Sequence, residues 1–150
     1  MKEQLVTFKT AKLAKEKGFN EPLTKVYNIL GELWDSHYPT MKNDDVDSGA
    51  SCTAPTQSLL QKFIREERGV HIEIIRNNFG YQWLMCRSDG RINLGWSDDY
   101  EPNNSGVWDS FEDALEDALL TQLSYDLPDD LSVIKYWGNY AEFAIKNKTK

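Results

Sequence analysis

Histidine and cysteine are scarce in this 150-residue chain, two of each. Cys52 falls in a polar stretch and Cys86 in an expected strand, without the Cys-x-x-Cys spacing of a zinc or dithiol site. Both read as free thiols that pack as small hydrophobes. His37 has no evident partner in sequence, and His71 lies two residues from Glu73 on the outward face of a strand, where exposure or cross-strand packing is its ordinary use. No Ser-His-Asp, Cys-His, Walker or dinucleotide-loop pattern occurs. No catalytic residue is therefore assigned, no cofactor or metal is expected, and a small enzyme stands only as the third choice of function. Asp45, Asp47, Ser48 and Gly49 echo the opening of a calcium loop, but no glutamate follows at the bidentate position. Nor does any apolar run approach the roughly 20 residues needed to span a bilayer. The start, Met1-Lys2-Glu3-Gln4-Leu5, lacks a secretory signal's apolar stretch, so a cytoplasmic protein without membrane contact is expected.

Positive charge is missing from one long region. The chain carries a formal charge of −7, which speaks against duplex nucleic acid as a partner, because that binding depends on many basic contacts to phosphate. The sorting is sharper than the sum. Between Ile92 and Ile134 there is no lysine or arginine, while Asp98, Asp99, Glu101, Asp109, Glu112, Asp113, Glu116, Asp117, Asp126, Asp129 and Asp130 all lie there. The arginines fall between Arg65 and Arg91.

What is present is enough for one domain over 1–150 with its own core. Thr7 can cap a helix running to Lys17, and Gly18 followed by apolar Phe19 fits a Schellman ending. Val26, Tyr27, Ile29, Leu33 and Trp34 around Gly31 suit a hairpin near 24–34. From 36 to 54 the sequence is polar and turn-rich, a long loop. A helix follows from Pro55, placed in its first turn, to Arg68, with Leu59, Leu60, Phe63 and Ile64 as its stripe and Gly69 at its end. Val70, Ile72 and Ile74 alternate in a strand, and Tyr81 to Arg87 and Arg91 to Trp96 supply two more. The second polar loop covers 97–109. Ser110, with Asp113 three residues on, caps a helix whose stripe is Phe111, Ala114, Leu115, Ala118, Leu119 and Leu123. The aromatic segment 129–150 is a helix or a hairpin. The fold class is α+β: a small antiparallel sheet, built on a three-stranded meander over 70–96 that the hairpin near 24–34 can extend, with helices packed on one face.

The stretches Ala54-Pro55-Thr56-Gln57, Phe63-Ile64-Arg65-Glu66, Gly69-Val70-His71-Ile72-Glu73-Ile74, Tyr81-Gln82-Trp83 and Phe111-Glu112-Asp113-Ala114-Leu115-Glu116-Asp117-Ala118-Leu119 together resemble a family of small phage and prophage proteins from gut Bacteroides-type bacteria. The resemblance covers about 54–123 and brings no catalytic assignment. It implies an accessory protein inside a bacterial host cell.

Two surfaces are candidates for binding. Asp109, Glu112, Asp113, Glu116 and Asp117 form an acidic face suited to a basic host protein, as in a counter-defence inhibitor, although solubility alone also explains such a face. Arg76, Arg87 and Arg91 with Tyr81, Trp83 and Trp96 could assemble a pocket for a small nucleotide, arginine supplying the phosphate fork and aromatic faces the stacking. That arrangement would make the protein a sponge for a signal molecule. Exposed aromatics in the last segment would instead favour a homodimer.

Overall fold

Thr7 opens the first helix by the means its position suggests. In the computed structural model, which describes residues 3–36, 39–46, 50–87, 93–96 and 106–124, its hydroxyl accepts from the Thr10 amide and α1 spans Phe8–Glu16. The helix stops at Gly18, whose φ of +95° places it in the left-handed region. The Phe19 amide then donates to the Ala14 carbonyl at 2.9 Å and the Gly18 amide to that of Lys15 at 3.1 Å, the two bonds of a Schellman motif. Phe19 is buried by this fold-back.

Helices and antiparallel sheets make the fold α+β. The chain divides into two compact units, Met1–Leu60 and Gln61–Lys150. The first holds the expected hairpin, β1 (Lys25–Asn28) against β2 (Leu33–Asp35). Asn28 turns it: its side-chain oxygen accepts from the amides of Leu30 and Glu32, both at 2.9 Å. Gly31 is needed there, because its φ is +83° and a Cβ would come within 2.8 Å of the Phe8 ring.

This hairpin does not extend the meander. It pairs with β3 (Ala50–Thr53) in a sheet of order β2-β1-β3, so the segment 36–54, expected as loop throughout, contains a strand. A single 3-10 turn, Asn43–Asp45, precedes it. Asn43 is buried and fastens both sides, its amide donating to the Phe19 carbonyl at 2.6 Å while its oxygen accepts from the Thr53 amide at 2.8 Å. Asn20 and Asp44 clasp each other through two further bonds. The polar residues of this stretch therefore replace main-chain partners that an irregular segment lacks.

Helix α2 (Gln57–Glu67) begins two positions later than expected. Thr56 is the cap, accepting from the Leu59 amide at 3.2 Å, and Pro55 precedes it with its carbonyl bound to the Val6 amide. Gly69, at φ +67°, follows the helix end as expected.

The second unit carries the meander, β4 (Val70–Arg76), β5 (Tyr81–Arg87) and β6 (Asn93–Trp96), in the order β4-β5-β6. Register sets Ile72 opposite Met85 and Ile74 opposite Trp83, giving one face whose central members are buried. Gly80, at φ +151°, lies under the Trp108 carbonyl so closely that any Cβ would collide with it. Tyr81 and Trp108 exchange both backbone bonds, at 2.8 and 2.9 Å, so the expected loop 97–109 ends in strand-like pairing. Helix α3 (Phe111–Ser124) packs against β5 and β4, burying Ala114, Leu115, Ala118, Leu119 and Leu123. Phe111 departs from the expected stripe. It is 43% exposed and meets the Tyr81 ring edge-on with centroids 6.3 Å apart. The segment 129–150, His37, the Asp47-Ser48-Gly49 part of the calcium-like sequence and Arg91 lie outside the described residues. Among the described residues no helix is long and apolar enough to cross a membrane.

Candidate functional site

The start of α3 concentrates carboxylates for a local reason. Ser110 caps the helix by accepting from the Asp113 amide at 3.1 Å, and Glu112 and Asp113 occupy the first turn, where the positive end of the helix dipole favours anions by roughly 0.3–1 kcal/mol each. Asp109, Glu112 and Asp113 are exposed, and Glu116 is half-buried one turn further along.

Asp117 does not belong to that solvated edge. Its Oδ2 accepts a hydrogen bond from the Trp83 indole N–H at 2.8 Å, so it turns towards the sheet on which α3 packs. Burial pushes its carboxyl above the ordinary value of 3.8, with hydrogen bonds from Trp83 and Thr121 acting the other way. The sequence sets Asp117 with Asp113 on one acidic face. Geometry separates them because Trp83 offers a buried donor that needs a partner. Gln122 is a second polar residue drawn inwards, its side-chain oxygen accepting from Arg68 Nε at 3.1 Å.

Of the six residues expected to form a nucleotide pocket, Arg91 lies outside the described residues, and Arg76, Arg87 and Trp83 are not brought to one spot. Trp83 is 0% exposed, its ring committed to the core and its N–H to Asp117, so no face remains for stacking on a base. Arg76 and Arg87 stand at opposite ends of the β4–β5 ribbon: Arg76 pairs with Tyr81, and Arg87 with Val70. At about 3.4 Å per residue the two lie roughly 20 Å apart, beyond the span of one small phosphate ligand. Trp96 pairs in register with Leu84, one position out of phase with Trp83. What remains of the group is local: the Arg76 guanidinium sits over the Tyr81 ring, 4.9 Å from its centroid.

The same register brings together two residues that the sequence treats separately. His71 is the direct cross-strand partner of Cys86, and both are half-buried. Antiparallel partners have Cβ atoms about 4.5–5.5 Å apart, so an imidazole and a thiol share one spot on the sheet face away from Trp83. No spacing rule reveals this pair, because it depends on the turn after Arg76 and the register that turn sets. Cys52, in the first unit, is fully buried, and burial pushes its thiol up, with the Ser51 hydrogen bond and then Lys15 and Lys12 opposing. Among the described residues no group of three or more His, Cys, Asp or Glu side chains is placed to hold a metal ion.

No family model matches this chain, and neither does any curated protein or solved structure.

Proposed function

We propose that this chain is a non-catalytic, phage-type accessory protein that acts by binding a host protein, with the acidic edge of α3 meeting a basic surface on that partner. One observation carries the reading: Asp109, Glu112 and Asp113 are exposed side by side at the start of α3, inside a stretch of sequence from Ile92 to Ile134 that has no basic residue. Helix-dipole stabilisation accounts for the two carboxylates in the first turn. It does not account for Asp109, which precedes the helix, or for the lack of any interspersed cation. A run of sequence that carries carboxylates and no lysine or arginine favours a basic partner over an acidic one. The phage-type setting and a counter-defence role rest on the sequence resemblance over 54–123. Asp117 is left out of the binding edge because it is held by Trp83.

The test is capture from bacterial lysate by immobilised protein, followed by affinity measurement on the purified partner. The variant combines Asp109→Asn, Glu112→Gln and Glu116→Gln. A basic partner whose affinity falls about tenfold or more in this variant, and falls again as salt shortens the screening length, is the expected outcome. A partner bound equally well by the variant and at high salt overturns the reading.

A further inference from the structure

The first unit presents an apolar edge at its hairpin. Ile29 and Leu30 in the turn are 69% and 77% exposed, and Leu33 and Trp34 on β2 are each 46% exposed. Successive strand residues point to opposite faces, so Leu33 and Trp34 leave both faces of β2 open. Among the described residues the strand is also the end member of its sheet, in the order β2-β1-β3.

Hydrogen bonding shows which backbone groups face away from β1. The Asn28 amide donates to the Glu32 carbonyl and the Ser36 amide to the Thr24 carbonyl, both within 2.9 Å. With Val26 opposite Trp34, the bonded partners on this side are therefore residues 32, 34 and 36. In an antiparallel ladder the alternate residues point outward, which leaves the N–H and C=O groups of Leu33 and Asp35 along the free edge. Such an edge is a template for another strand.

We propose that the occupant of this edge is a second copy of this chain, paired antiparallel through β2 about a two-fold axis at Trp34. The pattern is self-complementary. With Trp34 opposite its own copy, each Leu33 faces the other chain's Asp35, and the outward groups of those two residues close a pair of bonds on either side of the axis. The two indoles then stand directly opposite each other at a non-hydrogen-bonded position, where side chains approach most closely and aromatic pairs are favourable. Asp35 brings no uncompensated charge to the axis, since Lys25 on β1 holds its carboxylate. The four exposed side chains offer on the order of 400 Å² of apolar surface per copy. With the strand backbone added, two copies reach about the 1,000 Å² that a specific contact needs. An interface at this lower limit has a dissociation constant in the micromolar range.

Sedimentation equilibrium of the full chain over a concentration series tests the pairing. The average mass should rise from one chain towards two, and added salt should leave the association unchanged or strengthen it, because each copy carries −7. That response is opposite to the one expected of the acidic edge of α3, so the two readings fail separately. Leu33→Lys and Trp34→Lys should each raise the dissociation constant at least tenfold with an unchanged circular dichroism spectrum, since β1 is held by main-chain bonds. A second arm measures register without a charge change: in a Cys86→Ser background, Trp34→Cys should form a covalent dimer under mild oxidation, the Cα atoms lying about 4.5 Å apart across the axis. Leu30→Cys, equally exposed, should not. If the lysine variants unfold, the contrast between these two cysteines decides. A monomer at concentrations about 100-fold above the micromolar range, or Leu30→Cys crosslinking as readily as Trp34→Cys, overturns the proposal.

Discussion

The two units of this chain are held in different ways. In the first, side-chain amides sit at the points that fix chain direction: Asn28 closes the hairpin, Asn43 ties the Phe19 carbonyl to the Thr53 amide, and Asn20 clasps Asp44. Its central pairing sets β1 against a strand reading Ala-Ser-Cys-Thr, which has little apolar area to offer. In the second unit Trp83, Met85, Leu119 and Leu123 are fully buried, and one helix stripe meets one sheet face. Area fixes the arrangement there, and the polar insertions, Asp117 and Gln122, are fitted to it. A small-residue strand can be aligned as firmly as a large-residue one if leaving its neighbours unbonded is costly enough. The penalty for a buried orphan group, about 1–3 kcal/mol, is of the same order as the gain from burying a large aliphatic side chain.

Two truncations should separate these mechanisms. Trp83→Ala removes the largest fully buried side chain among the described residues and takes the donor from Asp117. A loss of about 3–5 kcal/mol in urea unfolding is expected. Asn43→Ala removes far less volume, yet it leaves the Phe19 carbonyl and the Thr53 amide without their partner. The expected loss is about 2–4 kcal/mol, and Asn43→Leu, which restores apolar volume, should recover little of it. If Asn43→Leu proved as stable as the natural chain, the amide would be a filler and the contrast between the units would collapse.

The same contrast explains which parts of the fold could be read in advance. The ending of α1 at Gly18, the cap at Ser110 and the alternation of Val70 with Ile72 are rules satisfied by residues adjacent in sequence, and each holds in the structure. β3 was illegible because its signal is long-range: Thr53 becomes a strand residue by pairing with Val26 and by the bond that Asn43 supplies. Composition alone cannot distinguish an asparagine that caps from one that is solvated. For the candidate site, the exposed edge of Asp109, Glu112 and Asp113 was legible from helical spacing, whereas the diversion of Asp117 was not. A carboxylate four residues after Asp113 looks solvent-facing until the position of Trp83 is known. The separation of Arg76 from Arg87 was illegible for a related reason. Arg76 and Arg87 are eleven positions apart in sequence with a hairpin between them, and a hairpin returns the chain beside its start, so these two residues end up at opposite ends of the ribbon.

Asp117 and its neighbours on α3 offer the finest version of the comparison, between a carboxylate fitted to a core and ones that face water. Because burial raises the Asp117 carboxyl above 3.8 in the folded chain, the native state holds that proton more tightly than the unfolded state does. The stability this contributes is fully present below 3.8 and is lost as pH rises through the raised folded value. Asp117→Asn keeps an oxygen that can accept from the Trp83 indole and has no charge to desolvate. The difference in unfolding free energy between the natural chain and this variant should therefore move against the natural chain as pH climbs through that window, and level off above it. Parallel urea titrations across acid pH make the measurement. A flat difference for Asp117→Asn would mean that the Trp83 contact leaves Asp117 as well hydrated as the edge it departs from.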